Sequence, residues 1–185
     1  MLNDISSALD RSDCLYTEAQ IASAYDRISE NISHDLFDKN PVLLCVMNGG
    51  LITTGEILRR IDFLHELDYV HATRYQGGTS GGEIEWIRRP TDNIRGRHVL
   101  LVDDILDEGY TLKAIQAKCA EKGAASVHTV VLTVKKHNRR VGGLDLDYYG
   151  LEVEDRYIFG CGMDYKGYYR NLPAIYALKQ SSDNA

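Results

Sequence analysis

The sequence predicts an α/β fold: a central, mostly parallel sheet flanked by helices. Three observations lead there. Apolar segments of strand length recur within 41–47, 98–104 and 126–136, the first of them a continuous run. Amphipathic, helix-length segments alternate with them, and the runs end in glycine- or acid-rich turns. A strand covered by helices on both faces loses the apolar–polar alternation of a half-exposed one, and helices between such strands make parallel crossovers.

Taken in order, residues 17–38 read as a helix. Thr17 and Gln20 form a capping-box pattern, and Ile21, Tyr25, Ile28, Ile32 and Leu36 share one face. "PVLLCVM" (41–47) is a buried strand closed by Asn48-Gly49-Gly50. "LITTGEILRRI" then predicts a helix packed through Leu51, Leu58 and Ile61. "ELDYVHATRY" (66–75) is a strand, while "QGGTSGGEIEW" (76–86), with its glycines, reads as a mobile loop. "HVLLVDD" is another buried strand, and "YTLKAIQAKCAEKG" a helix with Leu112, Ile115 and Cys119 inward and Gly123 as its stop. "SVHTVVLTVKK" (126–136) and "DRYIFGCGM" (155–163) complete the strands.

Composition bounds the function. The 185 residues predict one domain with a substantial core. A net charge of −6 argues against a nucleic-acid platform and against anionic membranes. No apolar run approaches membrane-span length, and "MLNDISSALDRSD" carries early acids, so no signal peptide is expected. Cys14, Cys45, Cys119 and Cys161 show no metal-ligand spacing and read as buried free thiols of a reducing, cytoplasmic compartment.

The acids at the end of "VLLVDDILDEGYTL" (99–112) carry the functional signal. A Walker B strand would need a phosphate-loop lysine, yet the near match Gly50-x-x-x-x-Gly55 is followed by Glu56. A phospho-acceptor receiver would place its acids near the start of the domain. A solvated strand end would not explain the turn that follows. Asp107-Glu108-Gly109-Tyr110-Thr111 links strand to helix, so its N–H groups converge at a helix N-terminus, a phosphate-binding arrangement. Asp103 and Asp104, just before it, suit a neighbouring diol. A phosphate at one end and vicinal hydroxyls at the other describe a ribose 5-phosphate.

Residues 99–112 resemble the 5-phosphoribosyl diphosphate signature of the type I phosphoribosyltransferases, and Asp107 resembles the aspartate of their 6-oxopurine (hypoxanthine–guanine) branch. The likeness runs from about 42 to 172 through "VMNGG" (46–50), "VKK" (134–136) and "RYIFGCGMDYKGYYRNL" (156–172). It implies a salvage transferase that makes IMP or GMP and diphosphate from hypoxanthine or guanine, 5-phosphoribosyl 1-diphosphate and Mg²⁺. By resemblance, Asp107 handles the proton of the base. Asp103, Asp104, Glu108, Gly109, Tyr110 and Thr111 hold the phosphoribosyl group, and Asn48, Gly49 and Arg170 the diphosphate. The peptide before Asn48 is implied to be cis. Lys135 meets the exocyclic O6, Tyr157 stacks on the purine, and Ile158 offers its carbonyl to a 2-amino group. Asp164, with Asp103 and Asp104, is implied as the metal side, and Arg74 and Tyr75 open a closing lid. Asn48 stands where the family often has lysine, Arg74 where it has a small serine, and Glu108 where it has a small hydroxyl residue. The Glu108 side chain is therefore expected to turn outward, toward solvent or an arginine. A small hood from about 1–16 and 151–185 over a core of about 40–150, and a homodimer or homotetramer, are also implied. Regulatory proteins of this fold add a DNA-binding domain or a basic face, and this sequence has neither. Lys135 and Asp107 favour a 6-oxopurine over a pyrimidine.

Overall fold

The computed structural model describes residues 2–74 and 84–179. The chain runs α1 (Leu2–Ser6), β1 (Ser12–Tyr16), α2 (Glu18–Leu36), β2 (Val42–Met47), α3 (Gly50–Leu58), β3 (Glu66–Arg74) and β4 (Ile84–Arg88). A 3₁₀ turn, Asp92–Ile94, leads to β5 (His98–Leu106), α4 (Tyr110–Glu121), β6 (Ser126–Lys136), β7 (Tyr148–Glu154), β8 (Ile158–Phe159) and β9 (Ile175–Leu178).

Six strands form the large sheet in the order β4-β3-β2-β5-β6-β7. All its pairings are parallel except that of β3 with β4. Alternate residues of each central strand face opposite layers. Leu43, Leu100, Val102 and Leu132 pack under α2 and α3, with Ile28, Ile32 and Ile57. Val42, Leu44, Leu101 and Val131 pack under α4, with Leu112, Ile115 and Cys119. Both layers are dry, which is why these strands carry unbroken apolar runs. The capping box of α2 is present, with Thr17 and Gln20 bonding reciprocally. Gly123 ends the α4 segment at φ +84°.

β1, β9 and β8 form a separate three-stranded antiparallel sheet, joining residues near both ends of the described chain. Phe159 is its buried centre, with Tyr165 and Ile5.

Several expectations need correction. The strand expected over 155–163 is only Ile158–Phe159, because Gly160 and Gly162 take positive φ and turn the chain through a Gly160–Met163 bridge. Residues 151–154, expected in the hood, finish β7 in the large sheet. Residues 84–86, expected in the loop, belong instead to Ile84–Arg88, which pairs with β3 as an edge strand; residues 75–83, with Tyr75, lie outside the described residues. Leu51 does not pack inward; it is 55% exposed, and Ile57 takes the buried position. Cys45, Cys119 and Cys161 are buried free thiols, but Cys14, on β1, is exposed.

Candidate functional site

The carboxyl ends of β2, β3 and β5 open onto a cavity of about 520 Å³. Ligands of open α/β sheets bind at this edge, where crossover turns leave backbone donors free. Two turns shape it. After β2, the Met47–Asn48 peptide is cis and Gly49 stands at the N-cap of α3. A Cβ on Gly49 would lie 2.3 Å from Asp104 Oδ2, so any larger residue here would have to displace the Asp104 carboxylate. After β5, Gly109 adopts φ +87° and starts α4 without a side-chain cap, so the first amides of α4 stay available.

Asp103, Asp104, Asp107, Glu108, Gly109, Tyr110 and Thr111 line this cavity with Asn48, Gly49, Arg74, Asp164 and Arg170. Asp164 and Arg170 come from the segment after β8, which Gly162 seats against the Gly49 carbonyl and Asp104. Burial pushes the Asp103 carboxyl up, and the neighbouring Asp104 charge adds to it. Burial also raises Asp104, against the opposing pull of Arg170. Arg170 is occupied: it bonds Asp164 and the Gly162 carbonyl, and lies 3.8 Å from Asp104.

Glu108 turns to arginines. Its carboxylate pairs with Arg74 at 2.5 Å and stands 3.9 Å from Arg139. Arg74 in turn lies over the Tyr110 ring, 4.5 Å from its centroid. One guanidinium thus ties the end of β3 to the first residue of α4.

Of the residues expected around a base, Asp107 lines the cavity, while Lys135, Tyr157 and Ile158 are not in its lining. Lys135 bonds Asp107 Oδ2 at 2.7 Å and is 12% exposed. It lies on β6, an interior strand of the large sheet. Tyr157 is 48% exposed and meets Tyr165 edge-on, while Ile158 is buried in β8. Sequence reasoning passed over His137, Arg139 and Asp155. His137 bonds Asp107 at 2.6 Å, and Arg139 makes a two-point pair with Asp155. The available signal was spacing, since a residue two beyond Lys135 projects to the same side of an extended chain.

Two acidic groups could hold a cation. Asp107, His137 and Asp155 have ligand atoms within 4.8 Å of one another. The Lys135 ammonium touches Asp107 and lies 3.9 Å from Asp155, so that group already has its positive charge. The cavity itself has five carboxylates against two arginines, an oxygen-rich, negatively charged lining that fits a hard divalent ion.

No described helix is long and apolar enough to cross a membrane. Residues 12–166 match the phosphoribosyl transferase domain family. The chain is 36% identical over 179 residues to a hypoxanthine-guanine phosphoribosyltransferase of Streptococcus pneumoniae, covering 96% of each. It is 35% identical over 167 residues to a hypoxanthine-guanine-xanthine phosphoribosyltransferase of Tritrichomonas foetus, covering 90% of this chain and 91% of the relative. A crystal structure of a hypoxanthine phosphoribosyltransferase from Staphylococcus aureus superposes with a TM-score of 0.84 at 30% identity, over 90% of this chain and 91% of that one.

Proposed function

Because this chain belongs to the phosphoribosyl transferase family, we propose that it is a purine-salvage enzyme joining hypoxanthine or guanine to 5-phosphoribosyl 1-diphosphate, with IMP or GMP and diphosphate as products. The observation that carries the choice of base is the Lys135–Asp107 pair, a cation and a carboxylate side by side at the sheet edge. A 6-oxopurine offers the complementary pair, an exocyclic oxygen to accept and a ring N–H to donate.

The purine N9 attacks C1 of the ribose while the bond from C1 to the diphosphate oxygen breaks, and the leaving group departs with that electron pair. The proton lost by the base passes to Asp107. Lys135 donates to O6, Tyr157 stacks on the ring, and the Ile158 carbonyl receives a 2-amino group. Asp103 and Asp104 accept from the ribose hydroxyls, and the 5-phosphate sits on the amides of 108–111 with the Thr111 hydroxyl. Asn48, Gly49 and Arg170 face the diphosphate, Arg170 giving up part of its hold on Asp164. Mg²⁺ would sit among Asp164, Asp103 and Asp104 and supply charge neutralisation for the departing diphosphate. A lid opened by Arg74 and Tyr75 would keep water from the oxocarbenium-like centre.

The architecture supports one domain with a core from about 40 to 154 and a hood from about 1–16 and 155–179. A cytoplasmic homodimer or homotetramer completes the reading. Leu51, Leu67 and Tyr69 stand exposed around an apolar groove of about 450 Å³, an association surface for a second copy. Leu67→Glu should lower the mass seen by light scattering.

A base panel with 5-phosphoribosyl 1-diphosphate and Mg²⁺ tests the function. Hypoxanthine and guanine should give nucleotide, with adenine at least about a hundredfold poorer in kcat/KM, because Lys135 would face an amino group that cannot accept its bond. Comparable turnover of adenine overturns the assignment.

A further inference from the structure

His137 has no part in the chemistry above, yet it is the more buried of the two partners of Asp107. Its side chain is 3% exposed and its Nε2 stands 2.6 Å from Asp107 Oδ1. On the other side of the ring, Nδ1 accepts the backbone N–H of Arg139 at 3.0 Å. A ring nitrogen that accepts a hydrogen bond carries no proton, so the proton is on Nε2 and the neutral ring donates to Asp107.

We propose that His137 is a positioning residue that keeps the Asp107 carboxylate in place when Lys135 turns to the base. The inference rests on the reading above, in which Lys135 donates to the purine oxygen. In the ligand-free protein Lys135 holds Oδ2 at 2.7 Å. An ammonium on a flexible four-carbon stem can turn to a new acceptor. His137 cannot follow, because burial and the Arg139 amide fix its ring. With Lys135 engaged elsewhere, His137 is the donor left to stop the carboxylate rotating away from the ring nitrogens of the base.

The charged groups around Asp107 come from three segments. Lys135, His137 and Arg139 lie on β6 and the turn after it, Glu108 on the turn before α4, and Asp155 follows β7. Burial raises the Asp107 carboxyl, but Lys135 and then His137 outweigh it, leaving Asp107 below its ordinary value. Removing the histidine donor therefore moves that carboxyl upward.

Two variants separate positioning from bulk. His137→Phe keeps a buried ring without a donor, and His137→Gln restores an N–H near the Nε2 position. A hydrogen bond to a charged group is worth on the order of tenfold to a hundredfold. The Phe variant should lose roughly that much in kcat, with KM for 5-phosphoribosyl 1-diphosphate changed by less than about threefold. The acidic limb of its kcat profile should move to higher pH, and Gln should recover most of both losses. Carbon-13 NMR of the Asp107 carboxyl in the ligand-free protein gives a readout independent of turnover: it should titrate at higher pH in the Phe variant. Wild-type kcat and an unmoved acidic limb in His137→Phe would overturn the proposal. Equal losses in Phe and Gln with an unmoved carboxyl titration would do the same. If the wild-type chain forms no nucleotide from either base, the functional reading fails, while the carboxyl titration still decides whether His137 holds Asp107.

Discussion

Replacing Arg74 by alanine isolates an unusual charge in the phosphate turn. Glu108 sits beside amides that would cradle a phosphate, and its carboxylate is neutralised mainly by Arg74 at 2.5 Å, with Arg139 further off at 3.9 Å. A free carboxylate about 4 Å from a phosphate charge costs about 4 kcal/mol at an effective dielectric of 20, and about 2 kcal/mol at 8 Å. Arg74 and Glu108 are 38% and 33% exposed, so solvent screening trims the larger figure, and Arg139 remains to answer part of the charge. A residual of about 1.4 kcal/mol corresponds to a tenfold rise in KM for 5-phosphoribosyl 1-diphosphate. Initial rates at saturating hypoxanthine, at low and high salt, measure it, and high salt should shrink the effect. Glu108→Thr alone should change KM less than about tenfold, because its charge is already answered. The double variant Arg74→Ala with Glu108→Thr should return KM to near wild type. An unchanged KM in Arg74→Ala would refute the reasoning. A double variant as impaired as Arg74→Ala would show instead that Arg74 acts on the substrate directly.

Asp107→Asn should lower kcat by roughly a hundredfold with little change in KM for 5-phosphoribosyl 1-diphosphate, measured where chemistry limits the rate. Asp103→Asn should raise the melting temperature at neutral pH while weakening substrate binding. The folded chain holds the Asp103 proton more tightly than the unfolded chain, whose reference value is 3.8, so this site loses stability as pH rises above that value. Melting curves of both proteins across pH should therefore converge at low pH and diverge as pH rises. Thr17→Ala removes one half of the α2 capping box and should cost about 1 kcal/mol in denaturant unfolding with activity intact.

The large sheet was legible because its strands obey a local rule: Val42–Met47 and Val99–Val102 are apolar on both faces and admit few other structures. The cavity-lining turn was legible for a similar reason, since Asp103 to Thr111 are contiguous in sequence. β1 and β9 were not. Each is short, and Ser12–Tyr16 becomes a strand only through pairing with Ile175–Leu178. Tertiary context also decided 155–163, where the apolar pattern suggests a strand but the glycines bend it. Asp107 and Lys135 were singled out by motif and the fold brings them into contact, whereas His137 needed the geometry. Its contact with Asp107 joins residues 30 apart, which no local pattern encodes. Charge alone left Glu108 two outlets, solvent or an arginine; the pairing with Arg74 required the fold.

The pairing of β1 with β9 also sets an order of assembly during synthesis. Every strand of the large sheet lies before residue 155, so its strand pairing needs nothing made later, although Ile158, Met163 and Ile175 complete the layer beneath it. The segment bearing Asp164 and Arg170 is fastened at its far end by β9, which must find a partner made at the very start of the chain. Such distant pairings form late, because long loops must close first. A growing polypeptide therefore carries a folded sheet, with Asp103, Asp104 and Asp107 in place, before it carries a finished site. Through that interval the acidic strand end stands without Arg170 beside Asp104, and the nascent chain is a folded scaffold with one wall of its cavity missing.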